Sequence, residues 1–183
     1  LVFWVLFNSP LANAFAFSHS SKRDILVGTW RRLPLPQIDA ASQRCIEAAA
    51  QSYLSAVHAF ESDFSLRNDE DREFERETLQ LLHWRMDAEV MKLYALPVEM
   101  ERKLLDYFKD GKRVGVPFQQ DRYFPEHFNE PISLADYISI TADWEETNVR
   151  RLELIERKLA GKIDETGRLE LARLKKLAWA KAQ

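Results

Sequence analysis

Arg31-Arg32-Leu33-Pro34-Leu35-Pro36-Gln37 separates a hydrophobic opening from a helical stretch that begins near Ala40. Each proline fixes φ and pushes the residue before it out of the α region, so no helix runs through these residues and they read as an extended crossing. Taken alone, such a crossing is a rigid linker that any protein can use. Its flanks decide the fold.

On the C-terminal side the patterning is helical. Ile46, Ala49, Ala50, Tyr53, Leu54, Val57 and Phe60 recur at three- and four-residue steps and predict a helix from Ala40 to about Phe60, with Asp39 placed to cap it. The pattern fades between Ser62 and Asp71. It resumes from Glu73 to Ala95, where Phe74, Leu81, Trp84, Ala88, Met91 and Leu93 are expected at buried positions. Pro97 ends that segment and opens a further helix to about Lys109, with Met100, Leu104, Tyr107 and Phe108 as its apolar stripe. Gly111 to Pro131 is the least regular part, a loop with one short strand near Val114 to Val116. Phe118, Tyr123, Phe124 and Phe128 are expected to pin it to the helices. From Ser133, a capping residue, a helix or broken pair reaches about Ala160, with Trp144, Val149, Leu152, Ile155 and Leu159 as a buried seam. Gly161 closes it, and a last helix over about Glu165 to Ala180 turns Leu171, Leu174, Leu177 and Ala178 inward. The expected fold is mainly α: several packed helices, a terminal helical hairpin and a small irregular or β-containing N-terminal remnant.

With 183 residues, 46% of them hydrophobic, and 11 Phe, the chain can bury a real core. Its single cysteine, Cys45, rules out an internal disulfide framework and suits a reducing, cytoplasmic compartment. The apolar run from Leu1 to Phe7 lacks a charged leader and is broken by Asn8, Ser9 and Pro10, so it is neither a signal peptide nor a membrane span. It reads as a core segment whose preceding partner is missing, and residues 1–35 are expected to form a hydrophobic edge completed by upstream sequence.

The net charge of -3 conceals a segregation along the chain. Residues 1–60 carry 5 Lys/Arg against 3 Asp/Glu, residues 61–110 carry 8 against 14, residues 111–146 carry 3 against 7, and residues 147–183 carry 10 against 5. The basic ends are the candidate phosphate-facing surfaces, because an acidic middle repels a nucleic-acid backbone.

No catalytic constellation is encoded. Glu101-Arg102-Lys103 and Glu156-Arg157-Lys158 each hold an acid-x-Lys pair, but both lie in helical segments without the acidic strand residue that completes a metal-dependent nuclease site. His19, His58, His83 and His127 lack the close spacing of a structural metal site, so no metal ligands are assigned. Neither a Gly-rich dinucleotide fingerprint nor a phosphate loop is present.

Phe3, Leu6, Asn8, Ser9, Pro10, Leu11 and Ala14, followed by Leu33, Pro34, Pro36 and Gln43, resemble the closing part of a target-recognition domain. Such domains occur in type I restriction specificity subunits and in fused adenine-N6 DNA methyltransferases, including type IIG restriction enzymes. Asp87, Val90, Leu93, Tyr94 and Leu96 are similar to the stretch after the connector helix of the fused enzymes, which usually carry Gly where this chain has Ala95. On this resemblance, residues 1–38 end a target-recognition-like domain, 39–110 form a connector and helical domain, 111–132 a loop and 133–183 a helical hairpin.

The resemblance implies a non-catalytic DNA-recognition and scaffold segment that positions a separate catalytic domain on duplex DNA. S-adenosylmethionine and the Asn/Asp-Pro-Pro-aromatic loop that works with it would belong to that missing upstream domain, and the segment itself needs no cofactor. Lys22, Arg23, Arg31 and Arg32 flank the recognition-like motifs and are candidate DNA contacts. Arg150 and Arg151 are further candidates, although Glu153 and Glu156 on the same helix favour ion pairing. A different reading is a helical protein-interaction or subunit-assembly domain that never touches DNA.

Overall fold

The computed structural model describes residues 1–19, 27–62, 69–108 and 122–182. All regular structure among them is helical, and they divide into two compact units, Leu1–Phe128 and Asn129–Gln183.

The first unit opens with α1 (Val2–Asn8) and α2 (Pro10–His19). These are helices, which corrects the expectation of an irregular or β-containing remnant. The reason lies in Asn-Ser-Pro. The Asn8 side-chain amide donates to the Trp4 carbonyl at 2.8 Å, and the Ser9 hydroxyl donates to the Leu6 carbonyl at 2.7 Å while accepting from the Ala12 amide at 3.3 Å. One buried serine therefore serves the end of α1 and the start of α2, and Pro10 takes the first helical position, where its missing N–H costs nothing.

After the short α3 (Val27–Trp30) come two long helices, α4 (Ala40–Ser62) and α5 (Asp69–Tyr94), then α6 (Val98–Asp106). Asp39 caps α4 as expected, accepting from the Ser42 amide at 2.7 Å, and this holds its carboxyl below the usual range. Ile46, Ala50 and Tyr53 of α4 interlock with Leu79, Met86 and Val90 of α5, and Val5 and Leu6 of α1 complete this core. Ala88 and Met91 are buried as the periodicity predicts. Phe74 is 71% exposed, and Met100 of α6 and Tyr107, its C-cap, also face solvent, against expectation. The strand expected at Val114 to Val116 lies outside the described residues, as does Phe118; Tyr123 and Phe124 are buried and Phe128 half-buried, anchoring the segment to the helices.

The second unit is α7 (Leu134–Thr141), α8 (Trp144–Leu159) and α9 (Glu165–Lys181). The helix expected from Ser133 is a broken pair, with Ser133 capping α7 through the Asp136 amide at 3.1 Å. Leu171, Leu174 and Leu177 point inward as expected. On α8 the expected seam is rotated: Leu154 is buried, whereas Val149, Leu152 and Leu159 are exposed. The apolar residues of α8 occupy two neighbouring stripes, and the one containing Leu154 meets α9.

Candidate nucleic-acid interface and the buried polar cluster

The basic crossing is held from several sides. The Leu33 amide donates to the Trp30 carbonyl at 3.1 Å, forming a turn that puts Arg31 and Arg32 outside and Leu33 inside. Trp30 packs edge-on against Phe7 of α1, with ring centroids 5.2 Å apart. Beyond the turn, the Tyr94 hydroxyl at the end of α5 donates to the Pro34 carbonyl at 2.9 Å. Burial pushes the Tyr94 phenol pKa up, which keeps the donor protonated. Ile38 then packs on the core before α4 begins. Neither Arg31 nor Arg32 has a carboxylate partner among the described residues. Lys22 and Arg23 lie outside the described residues.

Arg150 and Arg151 are engaged within the second unit. Arg150 makes a bidentate contact with Glu170 of α9, both nitrogens at 2.8 Å, and reaches Glu153 at 3.3 Å. These hydrogen bonds raise the Arg150 pKa, and in return hold the Glu170 carboxyl below its usual range. Arg151 holds the Asn148 side-chain oxygen at 3.1 and 2.8 Å. Arg173 pairs with Asp136, and Lys181 donates to the Ile140 carbonyl at 2.8 Å with its ammonium 5.3 Å from the Trp144 ring centroid. A phosphate contact by Arg150 competes with an ion pair already in ideal geometry.

The densest polar chemistry sits elsewhere. His83 and Asp87, one turn apart on α5, are 3% and 2% exposed, with Nδ1 and Oδ2 3.5 Å apart. The Tyr123 hydroxyl donates to the same Asp87 oxygen at 2.7 Å, and Tyr53 of α4 packs against the His83 ring at 5.6 Å between centroids. Next to it, Arg102 of α6 lies 3.8 Å from the Phe124 ring centroid and donates to the Phe128 carbonyl at 2.7 Å. Together these contacts fasten residues 122–128 to α5 and α6. His83 and Asp87 are enclosed, and hydrogen bonds inside such a low-dielectric cluster hold the elements around them in place. The i, i+4 spacing of His83 and Asp87 was the available signal in the sequence; Tyr123, 36 residues further on, was not legible.

Between α2 and α6 runs an apolar groove of about 480 Å³, lined by Leu11, Phe15, Leu96, Met100 and Leu104 with Lys103 and Tyr107 at its edge. No carboxylate lines it. No group of three or more metal-ligating side chains is assembled among the described residues, and no described helix is long and apolar enough to cross a membrane. No protein-family model, curated protein or solved structure matches the chain.

Proposed function

We propose that the chain is a non-catalytic DNA-recognition and scaffold segment of a cytoplasmic restriction-modification DNA methyltransferase. Its partners are duplex DNA and an upstream catalytic or recognition domain that carries S-adenosylmethionine. The observation that supports this reading best is the Arg31-Arg32 turn. Two guanidinium groups with no carboxylate partner among the described residues stand outside a backbone held by Leu33, by the Tyr94 to Pro34 hydrogen bond and by Ile38. A fixed backbone with outward cations is what phosphate contacts use to set register on a duplex.

One observation favours a helical assembly domain without DNA contact: Phe3 (61% exposed), Trp4 and Phe17 leave apolar surface open on α1 and α2. The double variant R31Q/R32Q separates the two readings. On the DNA reading it weakens binding to duplexes of unrelated sequence and flattens the plot of log affinity against log salt by about 2 units, one counterion-release increment per arginine. Unchanged affinity and slope reject the contact role.

A further inference from the structure

The turn between α8 and α9 gathers positive charge in a way its fold does not require. The Gly161 amide donates to the Lys158 carbonyl at 3.1 Å, the Lys162 amide donates to the Arg157 carbonyl at 2.8 Å, and Gly161 has φ +68°. This is the Schellman arrangement, which brings the residue after the left-handed glycine back over the third-last helical residue, where an apolar pair usually meets. Here those two positions are Lys162 and Arg157, with Lys158 between them in sequence.

All three side chains are exposed and none has an ion-pair partner among the described residues. Most other cations of the unit are engaged: Arg150, Arg168 and Arg173 pair with carboxylates, Arg151 holds the Asn148 side chain, and Lys176 and Lys181 donate to backbone carbonyls, while Lys175 has no partner among the described residues. The turn's own acids are committed too. Asp164 caps α9 through the Gly167 amide at 2.8 Å, and Glu165 lies 3.9 Å from Arg168. Glu170 of α9 feels the charge of Arg157 but is already held by Arg150 in a bidentate contact, and Glu156 is set about 100° round α8 from Arg157.

We infer that Arg157, Lys158 and Lys162 form a phosphate-contact site for the backbone of duplex DNA. A phosphate at the turn supplies the charge-assisted acceptor that no carboxylate within ion-pair distance provides among the described residues. The site rests on the DNA-recognition reading above and assigns the second unit's contact to the hairpin turn.

The test titrates the full chain with a fluorescein-labelled random-sequence duplex over a range of salt concentrations. R157Q/K158Q/K162Q, checked for unchanged helicity by circular dichroism, is compared with wild type and with K175Q, which removes an unpartnered cation outside the turn. The expected result is a slope shallower by about 2 to 3 units for the triple variant, close to 0.9 per lost contact, with K175Q at the wild-type slope. A wild-type slope in the triple variant overturns the site while leaving the DNA reading intact. An equal loss per charge in K175Q also overturns it, because that is diffuse attraction. Absence of wild-type binding removes the DNA reading itself, and the site with it.

Discussion

Ala95 adopts φ 46°, the left-handed conformation, directly after the last residue of α5. An L residue is strained there and glycine is not, so A95G should raise the free energy of unfolding by about 0.5–1 kcal/mol in urea titrations; a loss of stability contradicts this. Tyr123 is the opposite case. Y123F removes a buried donor from Asp87 and should destabilise the first unit by about 1–3 kcal/mol, more than Y94F, whose partly exposed bond to Pro34 is worth about 0.5–1.5 kcal/mol. Equal losses in urea unfolding would place the anchor elsewhere. Nothing in the residue spacing links Tyr123 to His83 and Asp87, because the link forms only once residues 122–128 lie across α5. Glu170 carries a pH signature: Arg150 depresses its folded pKa, so its contribution is present above the unfolded pKa and is lost as pH falls through the folded one. The thermal midpoint of the wild type should therefore drop below about pH 4, and part of that drop should vanish in E170Q. Identical acid profiles for the two proteins argue against the pair.

Among the elements, α9 shows how one glycine outweighs helix propensity. A Cβ on Gly167 would lie 2.8 Å from the Asp164 carboxylate oxygen and 3.0 Å from Ile163 Cγ1. That oxygen caps the helix by accepting from the Gly167 amide, so G167A should displace the cap and lower stability by about 0.5–2 kcal/mol, although alanine is the better helix former. A gain in thermal midpoint would show that the neighbours yield. Helix positions were largely legible. Asp39, Ser133 and Gly161 mark ends through capping chemistry that acts within a few residues, and α4 and α9 lie within about two residues of their expected limits. Faces were less legible. Val149, Leu152 and Leu159 repeat as regularly as a buried seam, but Leu154 carries the contact with α9. Periodicity defines stripes, while their choice depends on partners that the local sequence does not name. The same limit explains Phe74, Met100 and Tyr107, apolar residues at helical spacing that stay exposed.

At the scale of the whole molecule, the N-terminal segment is a pair of helices in place of the expected irregular or β-containing remnant, because Asn8-Ser9-Pro10 ends one helix and starts the next. The capping hydrogen bonds of Ser9 make this helix–helix corner. The proposed interface was legible only as charge segregation. Ten Lys/Arg against five Asp/Glu after residue 146 announce a basic end, but which cations are engaged depends on α9 returning Glu170 to Arg150, and on Asp136 of α7 meeting Arg173. Arg31 and Arg32 on the first unit and Arg157, Lys158 and Lys162 at the α8–α9 turn of the second are exposed and have no ion-pair partner among the described residues. The central claim, that these cations meet a DNA backbone, is tested most directly by titrating the full chain with duplexes of unrelated sequence at about 50 and 200 mM salt. The account predicts binding at the lower salt that weakens at least about tenfold at the higher, the loss expected from two phosphate contacts alone. No binding at low salt, or binding indifferent to salt, would contradict it.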